Sequence, residues 1–202
     1  LLKFSTNLAN KYGYQGVNLN VGCPSKKVSQ GRMGACLMKE ADIVRSCVKA
    51  MISESSSEVS VKCRIGVDEF ESYNFFKEFI SNVSDSGCNT FFVHARKAFL
   101  KGLDPKKNRT LPPLKYDYVY KLKREMPQLN IIINGGIQTL EECHNQLKSV
   151  DGVMIGRSIQ ANPFFLEEVD HQFYNQKIRS LEKNQVIAKY FEYVKENIDT
   201  VS

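Results

Sequence analysis

The chain has 202 residues, which is enough to bury one sizeable core, and its 42% hydrophobic and 25% charged content is ordinary for a globular protein. No apolar run reaches the length of about eighteen residues that a transmembrane helix needs, and residues 1–5 do not have the pattern of a signal peptide. Because the first residue is not Met, we expect the chain to begin inside a longer protein.

Short apolar runs alternate with amphipathic stretches along the chain. The apolar runs are rich in Val, Ile and Phe, which predicts strands covered on both faces, and the amphipathic stretches predict helices. In chain order the predicted elements are a helix over 8–12, a strand over 17–22, a helix over 43–51, a strand over 59–65, a helix over 73–83, a strand over 90–94, a helix over 116–126, a strand over 130–134, a helix over 140–147, a strand over 152–155 and a helix over 185–198. Thr139 and Glu142 have the spacing of a capping box at the start of the helix over 140–147.

Strands that alternate with helices predict parallel βαβ units, which build either a doubly wound sheet or a (β/α)8 barrel. Five strands are predicted, whereas a complete barrel needs eight, so a barrel would be partial in this chain. The last part of the chain has helical patterns without strands. We therefore expect an α/β domain over 1–168 and the start of a separate helical region over 169–202.

The cysteines and histidines give no metal-binding pattern. None of the six cysteines forms a C-x-x-C pair, and of the three histidines only His94 falls at the end of a predicted strand. Cys47, Cys63 and Cys143 fall among apolar residues and are expected to be buried. This usage is typical of a reducing compartment, so we expect a cytoplasmic protein with no metal, no membrane contact and no obligate protein partner.

Polar or small residues follow each predicted strand. They are Asn20 and Cys23, Lys62 and Arg64, His94 and Arg96, Asn134-Gly135-Gly136, and Gly156-Arg157. Parallel sheets bind ligands at the carboxyl ends of their strands, so five such positions in register predict a binding site. Lys62 alternates with apolar residues and would point away from them, which requires either an internal salt bridge or a bound anion; we favour the anion.

Two further patterns bear on the kind of ligand. The glycine turns after the fourth and fifth strands, with Arg157, have the composition of a phosphate site. Residues 96–115, called the basic segment below, carry seven of the lysines and arginines against Asp104 alone, so the rest of the chain is electrically balanced. Such a cluster indicates either a phosphate-rich partner or a solvated loop. Cys23, between Gly22 and Pro24, is either an inert thiol or the reactive centre of the site.

Five ordered segments together resemble the tRNA-dihydrouridine synthases. They are Asn18-Leu19-Asn20-Val21-Gly22-Cys23-Pro24-Ser25, Val61-Lys62-Cys63-Arg64-Ile65-Gly66, His94-Ala95-Arg96-Lys97-Ala98, Asn134-Gly135-Gly136-Ile137 and Met154-Ile155-Gly156-Arg157. The run from Gly102 to Arg109 resembles the A-type branch of this family, which acts on the tRNA D-loop. The resemblance extends to about residue 175 and then fades.

The resemblance implies an FMN-dependent (β/α)8 barrel followed by a helical RNA-binding domain, in which NADPH reduces the flavin and the flavin reduces a uridine to 5,6-dihydrouridine. By motif, the residues that match the FMN-binding set are Lys62, His94, Asn134, Gly135, Gly136, Gly156 and Arg157, with Arg96 beside them. The positions that match tRNA contacts are Asn20, Lys106 and Arg109. Cys23 matches the acid that protonates C5 while the flavin delivers hydride to C6, and an ordinary cysteine thiol is protonated at neutral pH.

The match begins after the first barrel strands of the family, which supply further FMN contacts, including a glutamine. For the chain by itself we therefore expect weak FMN binding or none. Two alternatives stay open from the sequence. One is another FMN barrel oxidoreductase, similar to dihydroorotate dehydrogenase, which would leave the basic segment unexplained. The other is an RNA-binding remnant without catalytic activity.

Overall fold

The computed structural model describes residues 1–177 and 182–198 of the chain. Within them, five strands form one parallel sheet: β1 Gly16–Asn20, β2 Glu58–Arg64, β3 Thr90–His94, β4 Asn130–Asn134 and β5 Gly152–Met154. Their order in space follows their order in the chain, from β1 to β5. A doubly wound sheet reverses its order at a switch point, and the described strands show no reversal, so they have the order of a barrel wall.

Helices follow the strands along the chain. They are α1 Leu2–Lys11, α2 Lys26–Gln30, α3 Ala41–Ile52, α4 Tyr73–Ser84, α5 Tyr116–Glu125, α6 Leu140–Leu147, α7 Arg157–Ala161, α8 Phe165–Tyr174 and α9 Lys183–Asn197, with short 3-10 helices at Gly34–Lys39 and Lys107–Arg109. No helix within the described residues is long and apolar enough to cross a membrane.

The core lies between one face of the sheet and the helices. Alternate strand residues are fully buried there: Val61, Cys63, Phe91, Val93, Ile131 and Ile133. The helices supply the opposing side chains, Val44 and Val48 of α3, Phe76 and Ile80 of α4, and Val119 and Leu122 of α5. Each such side chain contributes about 1.5–3 kcal/mol on burial, so this interface holds the sheet together.

The predicted strands are confirmed to within two residues at every end. The capping box is also confirmed, because Thr139 Oγ1 accepts from the Glu142 N–H at 3.1 Å and the Glu142 carboxylate accepts from the Thr139 N–H at 3.0 Å. The opening helix was predicted too short. It begins at Leu2, where no side chain caps it, so the sequence carries no start signal there.

The chain divides into two compact units. The first is Leu1–Gly156, which contains the whole described sheet, and the second begins at Arg157 and contains α7, α8 and α9. The domain division expected at 168/169 stays a prediction. Residues 178–181 and 199–202 of its second region lie outside the described residues.

Candidate active site

Rows of residues in register cross the face of the sheet that does not pack on the helices. The row nearest the carboxyl ends is Arg64, His94, Asn134 and Met154, and the row before it is Asn20, Lys62, Phe92, Ile132 and Gly152. Side chains alternate along a strand, so each row lies on the face opposite the buried valines and isoleucines. The register therefore brings Asn20, Lys62, His94 and Asn134 together at one edge of the first unit.

The loop that carries Cys23, residues 21–25, is called the thiol loop. The Gly22 N–H donates to Asn20 Oδ1 at 3.0 Å, and the Cys23 carbonyl accepts from the Ala35 N–H at 2.8 Å. Gly34 has a φ of +72°, and a Cβ there would collide with the Cys23 carbonyl oxygen, so only glycine fits. The backbone of Cys23 is thus fixed from both sides, and its side chain is partly exposed beyond the end of β1.

Lys62 and Asn134 meet across the sheet. Lys62 Nζ donates to Asn134 Oδ1 at 3.3 Å, and Asn134 Nδ2 donates to the Met154 carbonyl at 2.8 Å. No carboxylate of the described residues pairs with Lys62, so the internal salt bridge considered from the sequence is not formed among them. Burial lowers the pKa of Lys62, and the nearby charge of Arg64 acts in the same direction.

The glycine turn after β4 packs directly on His94, which is 7% exposed. Gly135 has a φ of +111°, and a Cβ there would lie 2.8 Å from His94 Nε2. Gly136 has a φ of +78°, and a Cβ there would lie 2.9 Å from the hydroxyl oxygen of Tyr116, which itself donates to the Gly135 carbonyl at 2.5 Å. The structure therefore explains both glycines by backbone conformation and by close packing.

The same turn presents backbone donors. Within residues 1–177 and 182–198, the N–H groups of Gly135, Gly136 and Ile137 donate no hydrogen bond to the protein. They directly precede the capped start of α6. Successive N–H groups that lack a protein acceptor between a strand end and a helix start have the arrangement of an anion-binding turn.

The basic segment is less positive in space than along the chain. Glu71, which lies outside the segment, pairs with Lys97 at 2.7 Å and with Lys115 at 3.9 Å. Arg96 Nη1 donates to the Pro112 carbonyl. The predicted tRNA-contact residues Lys106 and Arg109 are exposed, as are Lys101 and Lys107 of the same segment.

Arg157 and Gly156 fall at the boundary of the two units. Gly156 is exposed and ends the first unit, with open space around the position of a Cβ. Arg157 is the first residue of α7 and begins the second unit. Their grouping with Lys62, His94 and Asn134 stays a prediction.

Sequence reasoning placed Arg64 among the strand-end residues but missed its contacts with the loops, and it missed two further side chains that shape this edge. Arg64 and Asn108 are buried and connect the loops, and Tyr116 holds the glycine turn. Arg64 had a signal, because it shares the polar face of β2 with Lys62. Asn108 and Tyr116 had none, since their partners are backbone atoms of irregular loops, which no sequence pattern indicates.

Comparison with solved structures defines the class of fold. The chain is similar to QR15, an aldolase, with a TM-score of 0.55 and 14% identity over 83% of this chain and 66% of that one. It is also similar to the phosphoenolpyruvate phosphomutase from Streptomyces platensis subsp. rosaceus, with a TM-score of 0.54 and 13% identity over 97% and 78% of the two chains. At these identities the likeness shows the fold alone, and it confirms the predicted (β/α)8-barrel class, here as a partial barrel.

The family follows from the sequence comparison. The family model for dihydrouridine synthase (Dus) matches residues 1–202, so the chain belongs to the dihydrouridine synthase family. The chain is 47% identical over 191 residues to the tRNA-dihydrouridine(20/20a) synthase of Pasteurella multocida (strain Pm70), covering 95% of this chain and 58% of the relative. It is 46% identical over 198 residues to the enzyme of that name from Yersinia pestis, covering 98% and 57%. The chain thus spans less than two thirds of the length of the curated relatives that it matches.

Proposed function

We propose that the full-length protein containing this chain is an FMN-dependent, NADPH-using tRNA-dihydrouridine synthase that reduces a uridine of the tRNA D-loop. The observation that carries the proposal is the shared edge of the first unit, where Cys23 follows β1 and Lys62 donates to Asn134 across the sheet. The family membership and the printed names of the relatives agree with this reading.

The residues present fit FMN. A half-buried lysine without a carboxylate partner in the described residues suits a ring that gains negative charge, and the unbonded N–H groups of the glycine turn suit a phosphate. In the proposal Lys62, His94 and Asn134 hold the ring, with Arg96 near them. Gly135, Gly136, Gly156 and Arg157 hold the phosphate. When bound, FMN supplies the two-electron chemistry that adds hydride to C6 of the uracil.

In the proposed reaction, the chain itself supplies a proton to the uracil and holds the RNA around the target uridine. Cys23 gives its thiol proton to C5 of the uracil, and the hydrogen bonds of the thiol loop fix the backbone position from which the thiol reaches the uracil. The uridine must leave its stack to reach this edge, so the surrounding RNA has to be held open. Asn20, Lys106 and Arg109 are assigned to that contact. Residues 169–202 are assigned to the start of a helical tRNA-binding region.

The test uses the full-length protein, purified and incubated with NADPH and a tRNA that lacks dihydrouridine. We expect bound FMN in the absorption spectrum and the mass of two hydrogen atoms added to a D-loop uridine. A protein that binds tRNA without any such mass gain would be the RNA-binding remnant, and a flavoprotein that reduces only free pyrimidines would be a different oxidoreductase. Either result overturns the proposal.

A further inference from the structure

Arg64, the last residue of β2, is a buried cation with no carboxylate partner in the described part of the chain. Only 3% of it is exposed, and burial lowers its pKa to about 10, with the charge of Arg96 acting in the same direction. Burying a charge in this way is costly, and an apolar side chain of similar volume would avoid the cost. The guanidinium therefore needs a geometric explanation, which its hydrogen bonds provide.

The acceptors of Arg64 are backbone carbonyls of two loops. Its Nε donates to the Gly22 carbonyl at 3.2 Å, in the thiol loop. Its Nη1 donates to the Asn108 carbonyl at 2.9 Å and to the Lys97 carbonyl at 3.3 Å, both in the basic segment. A planar guanidinium can serve several acceptors in fixed directions, which a lysine ammonium on a flexible stem cannot reproduce.

Asn108 extends this link through the basic segment. It is fully buried, its Oδ1 accepts from the Phe99 N–H at 2.8 Å, and its Nδ2 donates to the Phe99 carbonyl at 2.9 Å. The same amide donates to the Leu103 and Asp104 carbonyls, each at 3.2 Å. A displacement of Asn108 would therefore move the whole turn that carries Lys106 and Arg109.

We propose that Arg64 is a positioning residue that locks the thiol loop and the basic segment into one arrangement, so that RNA held by the segment is presented to Cys23 at a fixed place. The proposal rests on the proposed function for its catalytic consequence, because the RNA contact and the acid role belong to that function. The mechanical link itself depends only on the three carbonyl contacts.

The first test is the substitution Arg64→Lys in the full-length protein. It keeps the positive charge but removes the planar guanidinium that donates to several carbonyls at once. Hydrogen exchange read by mass spectrometry should rise about tenfold in peptides covering both 21–35 and 99–111, and stay unchanged in the strands. The single-turnover rate at which pre-reduced enzyme reduces the uridine of tRNA should fall about tenfold or more. The rate of flavin reduction by NADPH should change less than twofold. Exchange that rises in one loop only, or an unchanged single-turnover rate, overturns the proposal.

The second test needs no variant, so it decides the matter if Arg64→Lys does not fold. In the wild-type protein at low denaturant, the amides of Ala35 and Phe99 should open with one shared free energy and denaturant slope. The amide of Glu142, which bonds to Thr139 away from Arg64, serves as the control and should open independently. Any other pattern overturns the link. A wild-type enzyme that makes no dihydrouridine defeats the proposed function instead, and the exchange results still judge Arg64.

Discussion

The two ends of the sheet carry polar side chains of the same kinds but use them differently. At the amino end they satisfy one another: Asn18 Nδ2 donates to Ser60 Oγ at 2.9 Å and Asn130 Nδ2 to Thr90 Oγ1 at 3.3 Å. Lys123 there pairs with Asp151 at 2.8 Å. At the carboxyl end, Lys62 has only the Asn134 amide as its hydrogen-bond partner among the described residues.

This difference separates polar groups that stabilise the fold from polar groups that a ligand can use. A charge that already has its counter-ion gains little from a ligand, whereas a half-buried charge without one gains a strong interaction when an anionic group binds. In barrels the carboxyl end carries the active site and the amino end carries stability. Substitutions at the two ends should therefore change different measured quantities.

The largest effect is expected from Cys23→Ala at the carboxyl end. Loss of the proton donor should lower turnover of tRNA by about 100-fold or more, while the content of bound flavin stays that of the wild type, because the thiol acts as an acid and holds no cofactor. Turnover and the flavin-to-protein absorbance ratio are measured on the same preparation. Cys47→Ala, on α3, is the matched control and should leave both unchanged. Loss of flavin in Cys23→Ala would refute the acid assignment.

The next largest effect is expected from Lys62→Met. Loss of a charged donor should weaken flavin binding by roughly 10- to 100-fold, as measured by titrating flavin-free protein with FMN. Lys123→Met is the amino-end control: it breaks the Asp151 pair, so thermal stability should fall by a few degrees while flavin affinity is kept. If Lys123→Met also weakened flavin binding, the distinction between the two ends would be wrong.

Lys62 also predicts a pH dependence. Because burial lowers its pKa, the unfolded chain keeps this proton at pH values where the folded chain has released it. The stability of the flavin-free protein should therefore rise with pH between the folded and the unfolded pKa, and this contribution should be absent from Lys62→Met. Urea unfolding of both proteins across the alkaline range measures it. Parallel curves for the two proteins would contradict the prediction.

A smaller effect is expected from Lys106→Ala combined with Arg109→Ala. Each lost phosphate contact should make the dependence of tRNA affinity on salt shallower by about 0.7–0.9 on logarithmic axes, so the pair should change the slope by roughly one to two. Titrations at several salt concentrations give the slope. Lys97→Ala is the control, because Glu71 already neutralises that lysine at 2.7 Å. A change half as large in Lys97→Ala, which removes one charge where the double variant removes two, would show that the segment acts only through its total charge.

The sequence predicts the strands well because alternation and β-branched composition are local properties. It also places Lys62 and Arg64 on one polar face, because they are two residues apart in β2. It cannot distinguish them. Buried Arg64 donates to three backbone carbonyls that lie 33 to 44 residues away in the chain, whereas Lys62 donates to a side-chain amide 72 residues away. Which of two neighbouring cations stays available to a ligand is decided by tertiary contacts.

Charge counting has the same limit. The surplus in the basic segment is visible in the sequence, but the partner of Lys97 and Lys115 is Glu71, which the fold brings in from outside the segment. The glycine turn after β4 shows a related limit. Its glycines predict an unusual backbone conformation. The packing of His94 against Gly135, however, can be inferred only when the register of β3 and β4 is known.

The smallest effect is expected from Tyr116→Phe, which tests whether the glycine turn must be held in place. The change removes one hydroxyl, and with it the 2.5 Å hydrogen bond to the Gly135 carbonyl, while the aromatic ring of residue 116 remains. A single neutral hydrogen bond contributes about 1 kcal/mol, so flavin affinity should fall about fivefold. Tyr120→Phe is matched in chemistry and lies one turn along α5, but its hydroxyl donates to Gln146 Oε1 at 2.6 Å, so it should leave flavin affinity unchanged. Equal affinities for the two variants would mean that the turn keeps its shape without the Tyr116 hydroxyl, and that its two glycines and the contact with His94 are sufficient to set it.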